Sequence, residues 1–384
     1  MNIALNDKQK QFYTYYIDLL SSVINCNDVK EPPKSINWDV LVRHAQSNSV
    51  MNILGYAVER LENKPPQTVL NVIENERRFS ILKETSQLVE VEKVLLGFEK
   101  AGIKNLPLKG YFMKQLYPQS DFRTMTDLDI LVSKKDFKKI TEIFTSLGYT
   151  KRPLINASEI HFHKDFLYFE IQSDLNEDDD TYYNDIWDKV SIRESYKYSY
   201  SMALEDFYVY MVYHCAKHFK SGGLGIRMLM DIYVFLKNYP TLDFEYINNA
   251  LKILNITAFE ERLRKVSVNW FSIDKTYIDN FGEFILFCAT YGMRDIYFYQ
   301  DNARSKKNYW LKQIFIPYKQ MKKKYAYLSK APFLLPFAWV QFWFTRIFIN
   351  RDINLKEGVT DRAENLDEKN AEFVTNLMNE LNIK

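Results

Sequence analysis

Asp127 and Asp129 stand two positions apart at the start of the apolar run LDILV, residues 128–132. Strand side chains alternate between faces, so the spacing predicts both carboxylates on one face and Leu128, Ile130 and Val132 on the other, turned to a core. Two carboxylates on one strand face can hold a divalent metal; a solvated strand edge or an Asp-rich turn is the plainer alternative. Upstream, LPLKG (106–110) is a short apolar segment that ends in Lys109 and Gly110 and runs into a helix. A glycine at such a junction lets a phosphate approach the backbone, and the helix N-terminus offers free N–H groups. Phosphate binding beside a metal-binding carboxylate pair points to nucleotide chemistry.

A third acid lies downstream. EIHFHKDFLYFEIQSDL (159–175) reads as a hairpin with Lys164 and Asp165 near its turn. Its second strand puts Phe166, Tyr168, Glu170, Gln172 and Asp174 on one face and Leu167, Phe169 and Ile171 on the other. An acid inside an aromatic strand is costly unless something positive meets it, and a metal shared with Asp127 and Asp129 is such a partner. Glu170 is therefore the candidate third ligand. Asp174 is the alternative on the same face, next to the acidic loop NEDDD (176–180).

Glycine-ended strand, short helix, arginine, paired carboxylates on an apolar strand, then a helix and an acid-bearing hairpin: this order resembles the DNA polymerase beta-like nucleotidyltransferase superfamily. Within it the chain is similar to a poorly characterised bacterial nucleotidyltransferase branch, through LKG at 108–110, LYP at 116–118, Arg123 and DLDILV at 127–132. In that superfamily a glycine turn precedes two acids on one strand and a third acid lies on a later strand; here Tyr111 follows Gly110, where glycine or serine is common. The likeness covers roughly residues 90–240. It implies a nucleoside triphosphate as substrate, ATP by default, with Mg2+ or Mn2+ held by Asp127, Asp129 and Glu170. Attack of an acceptor hydroxyl on the α phosphorus would release pyrophosphate, with Glu170 a metal ligand or the base for the acceptor. Lys109 and Arg123 would neutralise phosphate charge, or Arg123 would brace the carboxylates as an ion pair.

The elements that must position these groups follow from periodicity and punctuation. Residues 1–102 carry apolar residues at helical spacing, broken at Pro65–Pro66, with Gly102 capping a long final helix. Residues 103–190 form the α/β core, whose few strands predict a small mixed sheet with helices on one face. A helical lobe follows at 191–300, and an aromatic-rich helical region at 301–384. The fold class is α+β. In HCAKHFKSGGLGIRMLMDIYVFL (214–236), His214 and His218 share a helix face, as zinc ligands can, but Cys215 stands where a metalloprotease helix has glutamate. Arg227 and Asp231 are also four apart. The resemblance implies that this lobe closes over the site, bringing Arg227 to the triphosphate or acceptor and His218 to the cleft; a buried Arg227–Asp231 pair is the structural alternative.

Composition bounds the rest. A formal net charge of +2 over 384 residues, with both signs mixed along the chain, argues against a dedicated nucleic-acid binder and leans the acceptor towards a small molecule or a protein. Three scattered cysteines, Cys26, Cys215 and Cys288, show no metal spacing and fit reduced thiols. The start MNIALNDKQKQFYTYYIDLL is not a secretory signal, so a cytoplasmic location is expected. The stretch 331–349 is interrupted by Pro332, Pro336, Gln341 and Arg346, which suits core packing, or a peripheral membrane or protein contact, better than a span. Two other functional classes stay open: a nucleotide-binding regulatory module without turnover, and a docking scaffold.

Overall fold

In a computed structural model the described residues are 3–125, 127–152, 158–176, 181–272, 277–288, 315–345 and 368–383. The chain opens with four helices. Helix α1 (Asp7–Ile24) starts at Asn6, whose side chain accepts from Gln9 N while the Gln9 side chain accepts from Asn6 N, a reciprocal capping box. Helix α2 (Trp38–Ser47) is capped by Asn37, and α3 (Met51–Arg60) follows. Helix α4 (Gln67–Ala101) begins after Pro66 and stops at Gly102, whose φ of 68° is the left-handed cap expected of a glycine there.

The sheet comes next: β1 (Asn105–Pro107), β2 (Leu128–Val132), β3 (Thr150–Lys151), β4 (Glu159–Lys164) and β5 (Leu167–Gln172), in spatial order β1-β2-β5-β4-β3. Only β2 and β5 run parallel; the other neighbours are antiparallel. Short helix α5 (Lys109–Met113) leaves β1, and α6 (Phe137–Ser146) leaves β2. The β4–β5 hairpin turns at Asp165, φ 53°, a left-handed position that aspartate tolerates. The sheet is mixed and small, as the sequence predicts.

One sheet face closes a core of its own. Leu128, Ile130, Val132, Phe162, Phe169 and Ile171 bury there against Val91, Val94 and Phe98 of α4 and Ile140 and Phe144 of α6. Phe144 stacks on Phe162 with ring centroids 4.1 Å apart, fixing α6 on β4. β5 alternates buried and half-buried residues along its length, which turns Glu170 away from this core.

The second core is helical. It joins α1 to α3 with α7 (Leu204–Ser221), α8 (Ile226–Asn238), α9 (Phe244–Ile253), α10 (Thr257–Phe271) and α11 (Asn280–Phe287). A two-stranded ribbon, β6 (Val190–Ile192) with β7 (Tyr200–Met202), connects sheet to α7. Helices α12 (Tyr318–Lys324), α13 (Leu335–Phe344) and α14 (Glu368–Glu380) follow among the described residues. No described helix is long and apolar enough to cross a membrane. Within NEDDD, residues 177–180 lie outside the described residues, as do 346–349 of the terminal apolar stretch.

Candidate active site

Asp129 is held by the strand network on both sides. Its carbonyl accepts from Leu108 N (2.9 Å) at the end of β1, and on its other side β2 pairs in parallel with β5 so that Asp129 stands opposite Glu170. With Asp127 two residues earlier on the same face, the three carboxylates present oxygens within 4.8 Å of one another. Three half-buried acids so close could hold a metal ion, with only hard oxygen donors on offer. Asp174 lies past the end of β5 and is exposed, its carboxylate accepting from Asn176 N (2.9 Å) and Nδ2 (3.1 Å) in an Asx turn.

The field among these acids is strongly negative. Burial raises the Asp129 carboxyl above the usual range, Lys109 opposes that, and Asp127 adds to it. Glu170 is pushed up to about 7, first by burial and then by the charges of Asp129 and Glu159. Lys109, the first residue of α5, sets its Nζ 3.3 Å from Asp129 Oδ2 and 2.5 Å from His214 Nε2 on α7. Burial, then Lys109, hold the His214 imidazole well below its ordinary pKa, so it is the neutral acceptor for that ammonium. Lys109 thus bridges the sheet and the helical lobe.

Gly110 is adjacent. A Cβ there would meet Met125 Sδ at 2.9 Å, so a side chain at this position would push on the segment that delivers Asp127. The same segment is gripped from α4, where Gln87 Nε2 donates to Met125 O (3.0 Å); Glu84, also on α4, pairs with buried Lys114 just after α5.

Both arginines border the same cavity as the three acids, and it is Arg123 that pairs with Asp231. Arg123 Nε donates to Asp231 Oδ1 (2.8 Å) and Oδ2 (2.9 Å), and Tyr117 OH donates to the same Oδ1 (2.8 Å). The ion pair made by Asp231 therefore runs from α8 to the loop before β2. Thr124 O accepts from Arg123 Nη1 (2.8 Å) and from Arg227 Nη1 (3.1 Å), so α8 and the loop are sewn together. Both arginines are nearly inaccessible, at 5% and 6%, yet both border the cavity.

That cavity has a volume of about 720 Å³. The sheet supplies Asp127, Asp129 and Glu170 to one wall; α7 and α8 supply His214, His218 and Arg227. His218 packs edge-on against His214, ring centroids 4.3 Å apart, and burial followed by Lys109 lowers it to about 3. The two histidines form no cluster with a third metal-ligating group among the described residues.

Several residues of the site were not singled out from sequence. Glu159 and His161 on β4 form a second cluster with Glu170, His161 standing opposite Glu170 across the strands. The hairpin alternation that found Glu170 could have found them. Lys217 lines the cavity one turn from His214, within reach of helical-face reasoning. Lys83 on α4 has its ammonium pKa lowered by burial, with Arg227 adding and Asp127 opposing. No local pattern marks it, because only tertiary packing brings α4 to the site.

A family model described as uncharacterised nucleotidyltransferase matches residues 34–272, well over half the chain. The chain belongs to that family. No curated protein and no solved structure matches it significantly.

Proposed function

We propose that this family member transfers a nucleoside monophosphate from a nucleoside triphosphate, ATP by default, to a hydroxyl of a small molecule or protein, releasing pyrophosphate. The observation that carries the reading is the convergence of Asp127, Asp129 and Glu170 beside Lys109 in one cavity.

The residues present fit a divalent ion. All three donors are carboxylates, a set suited to Mg2+ or Mn2+, and burial, followed by neighbouring carboxylates, raises Asp129 and Glu170, a field that a cation would offset. Such an ion, when bound, would bring charge neutralisation for the triphosphate and a lowered pKa for the acceptor hydroxyl. Asp127 and Asp129 would hold it from one strand, and Glu170 would complete the set or take the acceptor proton. Lys109, already oriented by His214, would turn its ammonium to the phosphate oxygens as charge develops there. Arg123 and Arg227 would border the phosphate from α8 and the loop before β2, their forks fixed by Thr124 O and Asp231. His218, held neutral, would offer a hydrogen bond without adding charge.

The test is thermal stability with each of the four common nucleoside triphosphates, with and without Mg2+, together with pyrophosphate release. A metal-dependent shift for one nucleotide, absent in the Asp127→Asn plus Asp129→Asn double variant, supports the donor site. Release of pyrophosphate with an acceptor supports transfer. Nucleotide binding without release would favour the regulatory module, and no binding at all would overturn the reading.

A further inference from the structure

The charges are not in fact mixed evenly along the chain. Residues 302–351 contain eight lysines, three arginines and no acidic residue, leaving 40 basic against 49 acidic residues elsewhere. The same fifty residues carry 13 aromatic side chains. A near-neutral protein therefore concentrates its positive charge in one aromatic stretch.

The described part of that stretch has two faces. Met321, Leu328 and Ala338 bury together, with Leu334, Leu335, Trp339 and Phe342 packed on them. Tyr318 OH donates to Leu328 O (2.8 Å) and Trp339 Nε1 to Ile316 O (2.7 Å), which ties α12 to α13. Phe333, Phe337, Val340 and Phe344 follow at spacings of four, three and four and so share the other face of α13 and the turn before it. They are 79%, 61%, 67% and 56% exposed. Lys324 and Lys330 are exposed in the same unit, Lys324 with its Nζ 4.5 Å from the Phe342 ring centre.

We propose that this face docks on an anionic lipid bilayer, lying in the interface plane. The described α13 has ten residues, about 15 Å of helix, half of what a hydrocarbon core requires, and no described helix is long and apolar enough to cross a membrane. Phenylalanine and valine enter the acyl boundary, tryptophan and tyrosine suit the headgroup level, and lysines reach anionic headgroups. The absence of acidic residues through 302–351 removes the repulsion such a surface would otherwise meet. A polynucleotide would also attract the lysines, but single strands are bound in grooves lined by stacking rings, whereas this stripe is outward-facing and includes aliphatic Val340. Lys322 and Ser329 of the same segment line the candidate active site, so the docked surface is contiguous with it.

The experiment is co-sedimentation of the full chain with phosphatidylcholine vesicles and with mixed phosphatidylcholine–phosphatidylglycerol vesicles, read alongside tryptophan emission. The expected result is binding to the anionic vesicles with a blue shift, weakened by salt. Lys324→Gln plus Lys330→Gln should weaken partitioning about 25-fold, from about fivefold per lysine near an anionic surface. Phe333→Ser plus Phe337→Ser should abolish it with an unchanged melting temperature, since both rings are exposed. No partitioning, or binding that the phenylalanine variant retains, would overturn the proposal. So would preference for poly(U) over the vesicles in direct competition.

Discussion

Glu170→Gln is the sharpest probe of the carboxylate cluster. In the metal-free chain burial, then Asp129 and Glu159, push this carboxyl up to about 7, against an ordinary glutamate value of 4.5. The folded state then holds a proton that the unfolded chain has already released. Below pH 4.5 both states are protonated and no penalty arises; as pH rises towards 7 the folded state loses ground, and above 7 the penalty is complete. At 1.36 kcal/mol per pH unit this comes to about 3 kcal/mol. With roughly 2 °C per kcal/mol for a large domain, the wild-type melting temperature in chelator should fall by roughly 6 °C more than that of the variant between pH 5 and 8. Mg2+ at pH 8 should restore the wild type and raise the variant less, because Asp127 and Asp129 remain to hold a cation while the third carboxylate is gone. Denaturation across this pH range, with chelator and with Mg2+, reads both effects. Parallel pH profiles for the two proteins would refute the reasoning, since the three acids would then not share a field.

Two further substitutions separate chemistry from scaffolding. Lys109→Met removes the ammonium 3.3 Å from Asp129 and should lower turnover about 10²- to 10³-fold, while tightening metal binding measured by Mn2+ electron paramagnetic resonance. Unchanged turnover would exclude Lys109 from phosphate stabilisation. Asp231→Asn leaves Arg123 buried without its carboxylate and should cost about 3–5 kcal/mol in chemical denaturation, equally with and without nucleotide. Lost turnover at unchanged stability would instead place that pair in substrate binding.

The parts of the site that were legible in the sequence are those whose position depends on one strand alone. Alternation decides which way Asp127, Asp129 and Glu170 point, and the apolar residues between them, Leu128, Ile130, Phe169 and Ile171, bury as alternation requires. The end of α4 was legible for a similarly local reason: Gly102 caps it through backbone freedom. Register was not. Nothing in either strand states that Asp129 faces Glu170, or that His161 completes the row, because parallel pairing of β2 with β5 is settled by the packing of α4 and α6 beneath them.

Partnership across the chain was the least legible. Arg227 and Asp231 are one turn apart and invite a local pair, yet Asp231 takes Arg123, more than a hundred residues away in sequence. The reason is geometric: Arg123 and Arg227 converge on a single acceptor, Thr124 O, and Asp231, held by a hydrogen bond from Tyr117 OH, supplies the countercharge where the loop meets α8. Lys109 behaves alike, joined to Asp129 by strand order and to His214 only through the docking of α7. These long-range contacts join the acids of the sheet to Lys109 of α5 and His214 of α7, and Asp231 of α8 to Arg123 of the loop, so that charges of both signs border one cavity. A polyanionic substrate with a divalent cation is the ligand that satisfies both signs at once.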